Sequence, residues 1–332
     1  DRMTLGQRRR VVLAAGAIAI LPSVAFAQPE RRPVRVAIMI NTDLAAAKHL
    51  IDAFKEKMVE RGWREGANIN YISREARGDN ARLDPLAAEL VGLKPDLILA
   101  STTQSAVAVK KYTSVIPMVF TVVADPVAAG LAASLSRPGG NATGTAAGFG
   151  EGLNAKRLQI LKEVFPAVRR VAVFHDPSDA QDVATVKQLQ SAATELKLEL
   201  EPITARRPED FRASFSRLKG QKLNVAIIGG SISNFLHRKP IADLAREHRI
   251  ATIYNNVEGV EAGMLMSYGA NLATLYRHAA RYADRILRGA RPAELPVEQP
   301  PIVELAINLK TARALGIKFP QQILVRADKV IE

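Results

Sequence analysis

Residues Val34 to Met58 read VRVAIMINTDLAAAKHLIDAFKEKM. The first seven, Val34 to Ile40, form an almost unbroken apolar, β-branched-rich run, as expected of a strand buried on both faces. Leu44, Ala47, Ile51, Phe54 and Met58 then recur at helical spacing, and the pattern stops near Arg61-Gly62. This is a strand followed by a helix, and the chain repeats it. Ile69–Ser73, Asp96–Ala100 and Ile116–Val123 read as strands, with helices over Leu83–Leu93, Ser105–Tyr112 and Val127–Leu135. The rhythm restarts after Gly150. Strands are expected at Arg170–Phe174, Leu198–Ile203, Val225–Ile228, Ala251–Tyr254 and Met264–Tyr268. Helices are expected at Asn154–Phe165, Val183–Leu196, from Pro208, at Pro240–His248 and at Leu272–Leu287. Val303–Asn308 and Ile323–Val325 read as final strands. Repeated βα units imply parallel sheets covered by helices on both faces, so the expected architecture is α/β with two doubly wound parallel-sheet lobes.

The composition sets the outer limits. The chain has 332 residues, 48% of them apolar, which suits two sizeable cores. It contains no cysteine, which excludes disulfides, thiolate metal sites and a thiol nucleophile. Arg8-Arg9-Arg10 precede Val11–Leu21, a run without charge, and Ala25-Phe26-Ala27 follows a Pro-Ser break. A basic, then apolar, then small-residue order is that of a secretory signal, expected over residues 1–27. The apolar run spans about 16 Å as a helix, short of a ~30 Å hydrocarbon core. Gln28 rather than Cys follows the expected cut, so no lipid anchor is expected, and the compartment is the periplasm. The formal net charge is +13, but Lys and Arg are interleaved with Glu and Asp on helix faces. No nucleic-acid partner is expected from them.

In open α/β sheets, ligands bind beyond the carboxyl ends of the strands. The segments after the strands therefore supply the candidate ligand-binding residues. Asn41 and Thr42 follow the first strand, and Ser101-Thr102-Thr103-Gln104 the third. The latter run of hydroxyls at a helix start suits a carboxylate, while serving equally as a helix cap. Asp125 follows the fourth strand and faces either a ligand ammonium or the next helix start. In the second half Asp176 and Ser178, then Ser231, then Tyr254, then Ser267 and Tyr268 occupy the corresponding places. Tyr254, Tyr268 and Phe235 suit an apolar or aromatic ligand.

Signs of enzymatic chemistry are weak. The five histidines are scattered without metal-ligand spacing, and His237 and His248 read as solvated. Gly229-Gly230-Ser231-Ile232-Ser233 misses G-x-S-x-G at its last position. Gly148–Gly152 lacks a dinucleotide fingerprint and reads as a lobe crossover. No catalytic residue, metal or cofactor is expected.

Several stretches, taken in order, are similar to one known family. They are FKEKMVERGWREGANI (Phe54–Ile69), LDPLAAELVGLKPDLILA (Leu83–Ala100), IPMVFTVVADPVAAGL (Ile116–Leu131), LSRPGGNATG (Leu135–Gly144), KRLQILKEVFP (Lys156–Pro166) and GMLMSYGAN (Gly263–Asn271), with PVEQP and INLKTARALG in the segment Ala293–Leu315. From Val34 to Glu332 the chain resembles ABC transporter substrate-binding proteins of the tryptophan/tyrosine-binding type. That resemblance implies a type I periplasmic-binding-protein fold and capture of a small solute between two lobes for delivery to a membrane permease. It implies a cleft lined by Ser101–Ser105, Asp125, Tyr254 and Ser267–Gly269. Members often carry an acid after the strand matching Val225–Ile228, where this chain has Gly229-Gly230-Ser231. An amine on the ligand is then in question, and a carboxylic or aromatic acid fits as well.

The expectation is a monomer whose first lobe comprises residues 34–145 and about 256–298, and whose second comprises 146–255 and about 299–332. A three-segment hinge is placed near Thr143–Gly148, Tyr254–Glu258 and Pro296–Pro301. The runner-up readings are an exported α/β enzyme acting in the same cleft and a ligand-sensing module for a membrane receptor.

Overall fold

Strand β1 (Val34–Ile40) lies between two parallel neighbours, with its last five residues buried, which accounts for its continuous apolar character. On one side is β2 (Ile69–Glu75), in register Val34↔Ile69. On the other is β3 (Leu97–Ser101), in register Val36↔Leu97. With β4 (Met118–Val123) and β5 (Ala142–Ala146) they form an all-parallel sheet in the order β2-β1-β3-β4-β5. Helices α1 (Lys48–Glu60), α2 (Leu83–Gly92) and α3 (Thr103–Tyr112) make the crossovers. The computed structural model describes residues 32–147, 151–299 and 303–332. The expected signal segment, most of the Gly148–Gly152 crossover and Pro300-Pro301 of the third crossing lie outside them.

The second sheet repeats this winding. Helix α4 (Glu151–Val164) leads to β6 (Arg170–His175), α5 (Ala180–Glu195) to β7 (Glu199–Thr204), and α6 (Pro208–Gly220) to β8 (Val225–Ile228). The short α7 (Ile232–Leu236) and α8 (Arg238–Glu247) precede β9 (Ala251–Tyr254), and α9 (Val257–Glu261) precedes β10 (Met266–Ala270). Helix α10 (Leu272–Leu287) then returns to the first sheet. There Leu275, Tyr276, Ala279 and Ala283 join Leu50, Phe54 and Met58 of α1 in one core. The chain crosses back to add β11 (Val303–Asn308), antiparallel to β10. It then runs through α11 (Leu309–Leu315) and α12 (Gln321–Arg326) to β12 (Lys329–Ile331). The second order is β12-β11-β10-β9-β8-β6-β7. Each sheet carries an apolar core on both faces, so both lobes are doubly wound.

Four expectations need correction. Residues 126–130 form turns rather than the start of a helix over Val127–Leu135, because Asp125 and Pro126 carbonyls close short loops and Gly130 turns left-handed (φ +67°). Ile323–Val325 lies inside α12, and the last strand comes later. Tyr254–Glu258 is not a crossing. Strand β10 pairs with β9 (Ser267↔Tyr254), so the chain stays with the second sheet through Ala270 and leaves it at Asn271. Residues 256–270 thus carry second-sheet elements, not first-lobe ones. Finally, His237 and His248 are half-buried against the rings of Phe211 (5.6 Å) and Phe215 (6.3 Å) rather than solvated.

Strand β5 is an addition the residue pattern hides. Its sequence is Ala-Thr-Gly-Thr-Ala, and a Cβ on Gly144 would stand 1.9 Å from the Phe120 carbonyl oxygen. Only glycine lets β5 close on β4 there. The third crossing is tied beside β5: Glu298 N–H donates to Gly144 O (3.0 Å) and Ala146 N–H donates to Glu298 O (2.8 Å).

Candidate functional site

The strand orders place a switch point between β1 and β3 in the first sheet and between β6 and β8 in the second. At such points crossovers depart in opposite directions and leave a crevice. One cavity collects residues from both crevices. From the first lobe come Thr42 after β1, Ser101–Gln104 after β3, Val122 of β4, Leu50 of α1, and Leu272 and Tyr276 of α10. The second lobe adds Asp179 and Gln181 after β6, Gly230, Ile232 and Phe235 after β8, and Tyr254-Asn255-Asn256 at the end of β9. The cavity measures about 80 Å³, well below the ~300 Å³ of a small-molecule pocket.

The wall is chemically divided. Leu50, Val122, Phe235, Leu272 and the Tyr276 ring are apolar, whereas α3 and the β6–α5 corner supply polar groups. Thr102, the N-cap of α3, has φ 85° and ψ 157°, a region that non-glycine residues occupy only under strain. Val122 is left-handed (φ 56°) where the β4–β5 register shifts. Both strained residues line the cavity.

The serine and threonine hydroxyls are already engaged. Ser101 Oγ accepts from the Tyr276 hydroxyl at 2.6 Å, Thr102 Oγ1 accepts from Ser105 N–H at 3.4 Å, and Thr103 Oγ1 accepts from Ala124 N–H at 3.2 Å. The first N–H groups of a helix have no intrahelical acceptor. In α3, Ser105 N–H goes to Thr102 Oγ1 and Ala106 N–H to Thr102 O, which leaves those of Thr103 and Gln104 for a ligand. Three buried polar atoms on the wall also lack partners: Thr42 Oγ1, the Tyr254 hydroxyl and Asn256 Oδ1.

Asp179 supplies the cavity's carboxylate. Its Oδ1 caps α5 by accepting from Gln181 N–H (2.9 Å), and its Oδ2 accepts from Gln104 Nε2 of the other lobe (3.2 Å). Burial pushes its pKa above the ordinary range despite these bonds. Behind it, Asp182 is 1% exposed, and burial raises its carboxyl to about 7. A Cβ on Gly229 would lie 2.9 Å from both Asp182 oxygens. It would also meet Phe174 O at 2.7 Å, so the fold leaves no room for a side chain at the first position after β8, where many family members carry an acid.

The remaining expected site residues lie elsewhere. Asn41, Asp176 and Ser178 line a wider groove of about 860 Å³ that shares only Asp179 and Ile232 with the cavity. There Asp176 Oδ1 accepts from Ser178 Oγ (2.7 Å), and its Oδ2 pairs with Arg206 (3.2 Å). Asp125 is exposed in a third groove and caps the turn at Val127 and Ala128. Ser231 caps α7 by accepting from Asn234 N–H. Ser267 is buried within β10, and Tyr268 packs into a core of the second lobe. So Thr42, Ser101, Thr102, Thr103, Gln104 and Tyr254 come together, and Asn41, Asp125, Asp176, Ser178, Ser231, Ser267 and Tyr268 do not join them. Leu50, Gln181, Leu272 and Tyr276 were not foreseen, because which face of a helix meets the cleft depends on tertiary packing.

Residues 34–331 match the family model described as ABC transporter substrate binding protein. The chain belongs to that family. A tyrosine-binding protein of Clostridioides difficile (strain R20291) is 28% identical over 266 residues, covering 80% of this chain and 76% of that one. Among solved structures, a conserved domain protein of Vibrio cholerae is similar with a TM-score of 0.82 and 26% identity, covering 90% of this chain and 100% of that one. An ABC domain from Streptococcus pneumonia in complex with L-Trp gives 0.81 at 19% identity, over 90% and 100% of the chains. A ligand-free, open substrate binding protein with adhesive properties from Clostridium difficile gives 0.66 at 25% identity, over 90% and 99%. This ABC transporter substrate-binding protein thus shares the fold of these structures over nine-tenths of its length.

Proposed function

We propose that this substrate-binding protein captures an aromatic amino acid in the periplasm and delivers it unaltered, as a monomer, to an ABC permease. The observation that carries the reading is the division of the cavity into one apolar, aromatic wall and one polar end where Asp179 faces the first turn of α3. The solute's ammonium lies against Asp179. Its carboxylate takes the N–H groups of Thr103 and Gln104, and its ring lies among Leu50, Val122, Phe235, Leu272 and Tyr276. The hydroxyls of Ser101, Thr102 and Thr103 hold the frame in this reading rather than the ligand, and the missing acid after β8 no longer argues against an amine.

The lobes comprise residues 34–146 with 271–298, and 151–270 with 303–332, and they close around the solute by hinge bending. Contacts across the cleft support closure: Gln104 with Asp179, His49 with Glu258 (3.4 Å), and Arg238 Nη2 donating to Ala46 O (3.4 Å). Solute that touches both lobes only when they are closed shifts the equilibrium by its differential affinity. The segment at residues 1–27 would direct export. The family resemblance and the C. difficile relative support this reading over an exported enzyme or a sensor.

Titration calorimetry tests it. Wild type should bind L-tryptophan or L-tyrosine. Asp179→Asn, which keeps the cap oxygen of α5, should weaken that binding about tenfold or more and should weaken the binding of indole-3-propionate, which has no amine, much less. Absence of binding by every aromatic amino acid, or an Asp179→Asn variant of full affinity, would reject the assignment.

A further inference from the structure

Behind the polar end of the cavity lies a small polar hollow of about 10 Å³ in the second lobe, walled by Asn154, Arg157, Gln181, Thr185, Gly230 and Asn255. Gln181, Gly230 and Asn255 also line the solute cavity, so the hollow and the cavity share a wall. Arg157, on α4, is 3% exposed. Its Nε donates to Tyr268 O at 2.7 Å and its Nη1 to Asn154 Oδ1 at 2.5 Å. Its Nη2 is buried and has no partner.

No carboxylate lines this hollow among the described residues, and Arg157 makes no ion pair there. Burial accordingly draws its pKa down to about 10, which leaves it a cation at neutral pH. A buried charge without a counter-charge is costly, and native proteins pair such groups. Asn255 adds a second donor. Its Oδ1 accepts from Asn256 Nδ2 (3.1 Å), and its Nδ2 faces Gly230, where a Cβ would stand only 2.5 Å away. Only a glycine fits against that amide.

We propose that this hollow is an anion subsite in which Arg157 Nη2 and Asn255 Nδ2 receive either a halide or the one oxygen of the solute carboxylate that the Thr103 and Gln104 N–H groups leave free. Its size suits a single oxygen or halide, since a volume of ~10–15 Å³ holds about one water. The carboxylate source rests on the amino-acid reading given above, whereas the halide source is independent of it.

Two measurements on the full chain decide the matter. Thermal unfolding is followed as sodium chloride replaces sodium gluconate at constant ionic strength. Calorimetry compares L-tryptophan with L-tryptophanamide, which lacks the carboxylate. A halide source predicts that chloride raises the wild-type Tm by about 2 °C or more and that Arg157→Gln abolishes the rise. A carboxylate source predicts no chloride effect, but a preference for the acid over the amide that falls about tenfold in Arg157→Gln and is partly restored in Arg157→Lys. If Arg157→Gln does not fold, Asn255→Ala carries the same comparisons. A wild-type Tm indifferent to chloride, together with an acid-to-amide ratio that both substitutions leave unchanged, overturns the subsite. Should wild type bind neither tryptophan nor its amide, the amino-acid reading fails and the chloride response alone decides: a rise supports the subsite and no rise overturns it.

Discussion

Asp182 shows how a single residue can serve a site it does not line. Its Oδ2 accepts from Asp176 N–H (2.9 Å), so it braces the β6–α5 corner that presents Asp179. Burial raises its carboxyl to about 7 in the folded chain, against about 4 in an unfolded one. Between those values the folded form keeps a proton that the unfolded chain has released. This residue's contribution to stability is therefore full below about pH 4, falls as pH rises, and levels off above about pH 7. Asp182→Asn keeps an acceptor for Asp176 N–H and cannot ionise. Its stability relative to wild type should improve between about pH 4.5 and about pH 7.5, by roughly 4 kcal/mol at most. Urea unfolding at the two pH values measures this, and a difference that does not change with pH would show that Asp182 titrates normally. None of this was legible in the residues. Asp182 sits within a helix, and the space its carboxyl occupies depends on a glycine 47 positions later in the chain. The hydroxyl run at Ser101–Thr103 was legible as a feature of the cleft, but not as one whose hydroxyls were taken. The partner of Ser101, Tyr276, comes from an element packed there only in the finished fold.

Elements with their own periodicity were readable. Strands β1, β9 and β11 and helix α10 have the bounds their patterns imply, because each buries a continuous run or a regular stripe. Strand β5 was not, since a strand of small residues carries no hydrophobic signal and its identity rests on close approach to β4. Adding one methyl there tests the point. In Gly144→Ala the new Cβ would lie 1.9 Å from Phe120 O, with φ at +154°, so the β4–β5 ladder must open. The expected loss is about 4 kcal/mol or more, read as a lower urea midpoint. Because β5 adjoins the crossing tied to Glu298, the variant should also weaken solute binding. A stability within about 1 kcal/mol of wild type would mean that β5 does not pair as described.

At the scale of the whole molecule, the two-lobe plan was legible from the restart of the βα rhythm, but the sheet that β10 joins was not. Strand β10 follows β9 closely in sequence, yet an expected crossing fell between them, because pairing across a sheet is a non-local choice that no local pattern encodes. The contacts between the lobes are non-local in the same way. Gln104 reaches Asp179, His49 reaches Glu258 and Arg238 reaches Ala46, each pair drawing one partner from each lobe. These contacts are few and polar, so each contributes little on its own. The open and closed forms should then differ by only a few kcal/mol, within reach of a solute's binding energy. A compact chain of about 300 residues has a radius of gyration near 19 Å, and parting the lobes enlarges it. Solution scattering should show that radius falling by about 1 Å on saturation with L-tryptophan or L-tyrosine. In Asp179→Asn the same fall should appear only at about tenfold higher solute, since the substitution removes the carboxylate facing the ammonium and the oxygen that takes Gln104 across the cleft. A radius that stays constant while calorimetry records full binding would mean that the solute enters a cleft already closed, and hinge bending would then play no part in capture.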